Sequence, residues 1–332
     1  MRSNIYWAAV IGIVAMCANA PAQSYPPAFS AASSYAVGDQ VQLNGNVLRC
    51  THAVTPGGFK YDDWEMLLVR SNTVLEVGIG QTFSTLQLAW QYAENATIAE
   101  GAYLHIYVST AKGNHSETLA KQFSLDHPFG AQISVIGDNA GNIDFDFSQS
   151  NGFVIDSGHS LAALSGISIT ANIGIGSYDG LVASSNAALT SVASVTFNGN
   201  FQTYVEATSG AVVNFLGTDK FNGNESTLIS ADGGTIYIPS NTSLNGGVLS
   251  NYAIYAVNGA RVFVGSGSSV INCSNANIYA DFGSLVNVNG CTLHGGSEGG
   301  FDVQATHGSS VLAVGDGTPN TSVDSSSNVF SS

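Results

Sequence analysis

Between residues 181 and 311 the apolar positions recur with a long, steady period. Six alanines fall in step, Ala183, Ala207, Ala231, Ala256, Ala280 and Ala305, at intervals of 24, 24, 25, 24 and 25. Two places before each stands an aliphatic residue: Leu181, Val205, Ile229, Ile254, Ile278 and Val303. Three places after each comes Asn186, Gly210, Gly234, Gly259, Gly283 or Gly308, residue types that tolerate a left-handed backbone at a corner. Three further on runs a second column, Leu189, Val213, Tyr237, Val262, Val286 and Val311. A less regular third follows, Phe197, Phe221, Leu244, Ile271 and Leu293.

A fixed period of this length marks a repeat architecture. Alternation by two inside each copy marks strands, not helices. Three short strands per copy, broken by Gly, Asn and Ser, predict an all-β fold: a right-handed parallel β-helix over residues 131–316, with about 24 residues per coil. Equivalent residues then stack about 4.8 Å apart. The alanines and aliphatics fill the cylinder. Asn198, Asn222, Asn245 and Asn272, with His294 in fifth place, are expected to stack as an amide ladder at a turn.

Residues 74–130 read as the cap and first coils. Ser84 is positioned to cap a helix whose Leu86, Ala89, Trp90 and Ala93 share one face. Such a plug covers the strand edges that a solenoid leaves at its end. His127, before a Pro in a turn, reads as a hydrogen-bonded structural histidine. The span Asn172 to Gly180 reads as a loop outside the cylinder, and 317–332 as a tail without strand pattern.

Ahead of the cap, residues 23–73 form a separate small β unit of three strands. Gly38-Asp39 is a turn signal, and Asn44-Gly45 a hairpin turn between alternating strands. The stretch YAVGDQVQLNGNVLRC from Tyr35, followed by Asp63-Trp64, resembles the small chitin- and cellulose-binding modules of secreted enzymes and phage tails. That resemblance implies sugar contact through Tyr35 and Trp64; the residues themselves also fit the core of a very small domain. The chain departs from it at Thr51 to Thr55, where such modules present adjacent aromatics. GQTFSTLQLAW, then LDHPFGAQISVIG, then the alanine repeat is similar to phage and prophage tail-spike or tail-fibre β-helices of the pectate-lyase-like class. This second resemblance implies a homotrimer that binds bacterial surface glycans.

Residues 1–22 read as a secretory signal: Arg2, an apolar run from Ile5 to Ala15 too short to span a bilayer, and Ala20-Pro21-Ala22 before Gln23. The mature chain is thus expected to lack a membrane span and to be secreted or at the cell surface, the alternative being a virion tail. Charged residues are only 9% of the 332, and the net charge is −15. With eight Lys and Arg in all, the chain has no means to build the basic face that nucleic acid requires. The four cysteines, Cys17, Cys50, Cys273 and Cys291, give no disulfide framework.

Chemistry is sparse. Glycoside hydrolases need two carboxylates roughly 5–9.5 Å apart. In the repeat no two acids share a column in adjacent coils. Asp144 and Asp146, on one side of one strand and about 7 Å apart, are the weak catalytic candidates. The position between the aliphatic and alanine columns must face outward. It reads Val182, Glu206, Ser230, Tyr255, Tyr279, Gln304. Tyr255 and Tyr279 then stack on adjacent coils, either as a sugar platform or as a cross-strand pair that only stabilises the sheet, with Glu206 on the same stripe. No metal or cofactor is expected. The sequence therefore points to an exported β-helix protein that recognises a polysaccharide without turning it over. The alternatives are a polysaccharide lyase or glycoside hydrolase on the same fold, and a purely structural tail or matrix protein.

Overall fold

A computed structural model of the protein describes residues 26–147, 150–171, 178–222, 227–246, 250–294, 300–314 and 321–330. The expected export segment 1–22 lies outside them. The chain divides into two compact units, one ending at Glu65 and one starting at Met66.

In the first unit Gln40–Leu43 pairs antiparallel with Asn46–Cys50. Asn44 and Gly45 both take positive φ, 51° and 84°, as the twist of a two-residue hairpin loop demands. Phe29, Tyr35, Phe59 and Trp64 pack ring against ring, Trp64 lying 5.8 Å from Phe59 and 5.1 Å from Tyr35. A unit this small has few other large apolar residues from which to build a core.

The second unit is the parallel β-solenoid. Nine parallel strands, from Phe123–Ser124 to Thr321–Val323, form one sheet, and a twelve-stranded sheet runs from Thr73–Val77 to Asn328–Phe330. The third side is made of a five-stranded and a three-stranded sheet, with a break between Lys220–Asn222 and Ser243–Asn245. All six alanines pair in one continuous register. They and the six aliphatics beside them are fully buried. Each coil thus adds a layer of Val, Ile, Leu and Ala to one core, each larger side chain contributing about 1.5–3 kcal/mol by burial.

The corners are tighter than glycine spacing alone suggested. Five of the six use two consecutive left-handed residues: Ser185-Asn186, Ser209-Gly210, Asn258-Gly259, Phe282-Gly283 and His307-Gly308. The sixth uses Gly233 alone, not Gly234. That corner is one residue shorter, and a one-residue shift exchanges the two faces of a strand. Consequently Ile236, not Tyr237, pairs with Val213 and Val262 in the core column. Tyr237 faces outward and stacks on Phe263 at 5.0 Å. Likewise Val270, not Ile271, pairs with Leu244 and Leu293.

Rungs of the amide ladder form among the described residues, while the side chain of His294, expected in fifth place, lies outside them. Asn222 donates to Asn198 at 3.1 Å, Asn272 to Asn245 at 3.1 Å, and an unforeseen Asn275 to Asn251 at 3.2 Å. The expected tail also differs: Thr321–Val323 and Asn328–Phe330 pair in parallel with Phe301–Ala305 and Ser310–Leu312 and add a further coil. Of the expected loop, Asp179 and Gly180 already belong to a strand, while 172–177 lie outside the described residues.

The helix Leu86–Ala93 buries Leu86, Ala89, Trp90 and Ala93, with Tyr92 in addition. Its cap is Thr85 rather than Ser84, the Thr85 hydroxyl accepting from the Leu88 N–H at 3.2 Å. Buried Glu117 accepts from the Leu86 N–H and pairs with His115, both at 2.6 Å. A carboxylate suits the positive end of a helix. At the other end His127 donates through Nε2 to the Ala93 carbonyl at 3.2 Å and accepts at Nδ1 from the Phe129 N–H at 3.0 Å. Burial lowers its pKa. His127 is therefore a clamp for the helix.

Candidate functional site

The outward stripe on the nine-stranded sheet pairs strand by strand as Val182, Glu206, Ser230, Tyr255, Tyr279 and Gln304. The rings of Tyr255 and Tyr279 lie 5.1 Å apart and 6° from parallel. Tyr252, absent from the expected platform, completes it at 5.3 Å from each. All three are half-buried, so each ring keeps part of its surface open to solvent. The Tyr279 hydroxyl donates to Asp281 at 3.1 Å. Burial acts to raise the Asp281 pKa, but hydrogen bonds from His307, Thr306, the Phe282 N–H and Tyr279 outweigh it and hold it low. At the neighbouring corners Phe282, 57% exposed, stacks on His307 at 4.7 Å.

Beside the tyrosines is an open groove of about 590 Å³. Asp179, Thr203, Glu206, Ser230, Asp232 and Tyr252 are among its walls. The alternation of strand Thr203–Thr208 is interrupted here. Tyr204 and Val205 are both fully buried, and the pairing with the next strand passes from Thr203 to Val205 without Tyr204. Tyr204 donates its hydroxyl to the Asn222 carbonyl at 2.6 Å, which holds the ring inside. As a result Thr203 and Glu206, three apart, both face outward. Asp179 pairs with Thr203 across the strands, and its carboxyl reaches Glu206.

Asp179 and Glu206 are hydrogen-bonded carboxyls. Burial, the charge of Asp179, the hydrogen bond to it and the charge of Asp232 push Glu206 up to about 7. Burial also raises Asp179, against hydrogen bonds from Thr203 and Glu206. Two carboxyls close together cannot both ionise cheaply, so both are harder to ionise than free carboxyls. Asp232 accepts from the Asn258 amide at 2.7 Å. Sequence reasoning named Glu206 but missed Asp179, which it had placed in a loop. The aliphatic column was the available signal: Asp179 stands two places before Leu181, as Thr203 stands two before Val205.

The other expected residues fall elsewhere. Asp144 and Asp146 do share one face, pairing with Ser168 and Thr170. Asp144 helps to line a second open groove of about 1000 Å³ with Ser168, Thr196, Asn198 and Lys220. It accepts a hydrogen bond from Thr170, and Asp146 is absent from that groove's walls. Asp144 and Lys220 stand in one stripe, three strands apart, roughly 14 Å and too far for an ion pair. In the first unit Trp64 is 3% exposed. It belongs to the aromatic core of this small unit. Tyr35 is half-buried in the same cluster, its hydroxyl accepting from the Ser30 N–H at 2.7 Å.

One cluster has the composition of a metal site. Ligand atoms of Asp126, Asp156 and His159 lie within 4.8 Å of one another. Asp126 already accepts from the Asp156 N–H at 2.7 Å and from the Ser124 hydroxyl, so these groups serve to tie two coils together. Cys50, Cys273 and Cys291 are buried free thiols. Compared with family models, curated proteins and solved structures, the chain finds no match.

Proposed function

We propose that the protein recognises a polysaccharide or cell-surface glycan along the outer face of its nine-stranded sheet, in the manner of a tail spike or adhesin. The observation that carries this reading is the cluster of Tyr252, Tyr255 and Tyr279 at the rim of the carboxyl- and hydroxyl-lined groove. Sugar rings have apolar faces that pack on aromatic rings, and a phenol adds a hydrogen bond at its edge. The hydroxyl edges of a sugar find Asp179, Thr203, Glu206 and Ser230 alongside. A solenoid repeats this surface at one strand spacing per coil, which suits an extended chain of similar units. Export through residues 1–22 would bring this face to such a ligand.

The carboxyl pair does not favour hydrolysis. Glycosidases hold their two carboxyls roughly 5–9.5 Å apart, with the sugar bond between them. Asp179 and Glu206 interact directly, unlike that arrangement. Recognition without turnover is therefore the preferred reading.

Glycan-array binding by the parent and by the Tyr255→Ala/Tyr279→Ala variant tests it. The variant should lose at least about ten-fold in affinity, the size of one aromatic contact of about 1.4 kcal/mol, with an unchanged circular dichroism spectrum. Equal binding by the variant to every glycan the parent holds would end the idea.

A further inference from the structure

The groove beside the tyrosines has an unbalanced chemistry. Its walls include three carboxyl groups, Asp179, Glu206 and Asp232, and no Lys, Arg or His among the described residues. His307 lies further along and is engaged at 2.6 Å by Asp281. The pairing of Asp179 with Thr203 and of Val182 with Glu206 brings the two carboxyls to one wall of the groove, where a cation would balance them. A second observation is independent of the acids. Thr227 and Ser230, 8% and 9% exposed, line the same groove. Both bring a hydroxyl to the groove lining. The site thus offers anionic acceptors, hydroxyls and, in Tyr252 and Tyr255, ring faces that attract cations and sugar C–H groups.

We propose that this groove binds an amino-sugar unit of the glycan, with its ammonium seated at the Asp179–Glu206 pair, its hydroxyls on Thr227 and Ser230, and its ring against Tyr252 and Tyr255. The proposal rests on the glycan reading and deepens it by naming a substrate class. A bare divalent ion fits less well, because calcium takes six to eight oxygen ligands and would leave the rings unused. The ammonium donates to both carboxylates, and the proton held on Glu206 leaves for solvent. The other titratable groups that line the groove are Asp232 on the next strand and Tyr252 and Tyr255 beyond it. The Tyr255 phenol is raised by burial and by Tyr252, and stays neutral through this range.

Isothermal titration of the whole chain at about pH 6, below the Glu206 midpoint, uses a β-1,4-linked glucosamine oligosaccharide and its fully N-acetylated counterpart. Running it in two buffers of different ionisation enthalpy counts protons. The amine form should bind at least about ten-fold tighter, the scale of a charge-assisted hydrogen bond, and release about one proton per site. Glu206→Gln should abolish the release and the preference while keeping the circular dichroism spectrum. Equal binding of both oligosaccharides without proton release would overturn the amino-sugar assignment and leave the glycan reading standing. So would binding of neither while another glycan on the array is held, or the same heats from calcium alone. If the parent holds no glycan at all, the broader reading falls with it.

Discussion

Asp219 makes a quantitative prediction. Its side chain is buried at 7% exposure, with Oδ1 accepting from the Val195 N–H at 2.8 Å. Oδ2 is buried and has no hydrogen-bond partner among the described residues. Burial pushes its pKa from 3.8 up to about 7, against the lowering effect of the Val195 bond. Between those values the folded chain holds a proton that the unfolded chain has released. Stability is therefore full below pH 3.8 and is lost as pH rises through 7. At 1.36 kcal/mol per unit the loss is at most about 4 kcal/mol. Asp219→Asn keeps an oxygen for Val195 and cannot titrate. Its amide gains no acceptor, which costs about 1 kcal/mol at every pH. The pH dependence of the difference between the two proteins isolates the carboxyl, because Glu206 titrates in both and cancels. Urea unfolding followed by circular dichroism at about pH 4.5 and about pH 8 should show the parent losing roughly 2–3 kcal/mol relative to the variant. Parallel behaviour at the two pH values would refute the claim that this carboxyl is desolvated in the fold.

Three further outcomes follow from the same structure. Ile254→Asp places a charge in the fully buried column between Ile229 and Ile278 and should cost several kcal/mol; an unchanged thermal midpoint would contradict the register. Glu117→Ala removes the acceptor shared by the Leu86 N–H and His115. It should cost about 1–3 kcal/mol, and hydrogen exchange should speed up in the Leu86–Ala93 amides before those of the coils. If residues 1–22 direct export, intact-mass measurement on secreted protein should find a chain that starts near Gln23, and an intact Met1 would reject it.

The alanine spacing alone determined the solenoid, its direction of pairing and the outward stripe of Glu206, Tyr255 and Tyr279. A residue repeated once per coil meets only its own copies above and below, so its environment can be read from the interval. Trp90 and its helix were legible for a similar reason, since local periodicity sets which face is buried. Part of what the interval could not supply lies where a coil departs from it by one residue. The single left-handed residue at Gly233 moved Tyr237 out of the core and Ile236 into it. A second feature is shared by successive coils: Tyr204, Leu228, Ala253 and Asn277 are all fully buried beside the aliphatic column and are passed over in the pairing. Strict alternation by two sends Thr203 and Glu206 to opposite faces; this skipped position turns both outward, towards Asp179. Only the packed cylinder decided these points, because whether such a residue is swallowed or pushed out depends on the space inside, where the Asn222 carbonyl accepts from the Tyr204 hydroxyl.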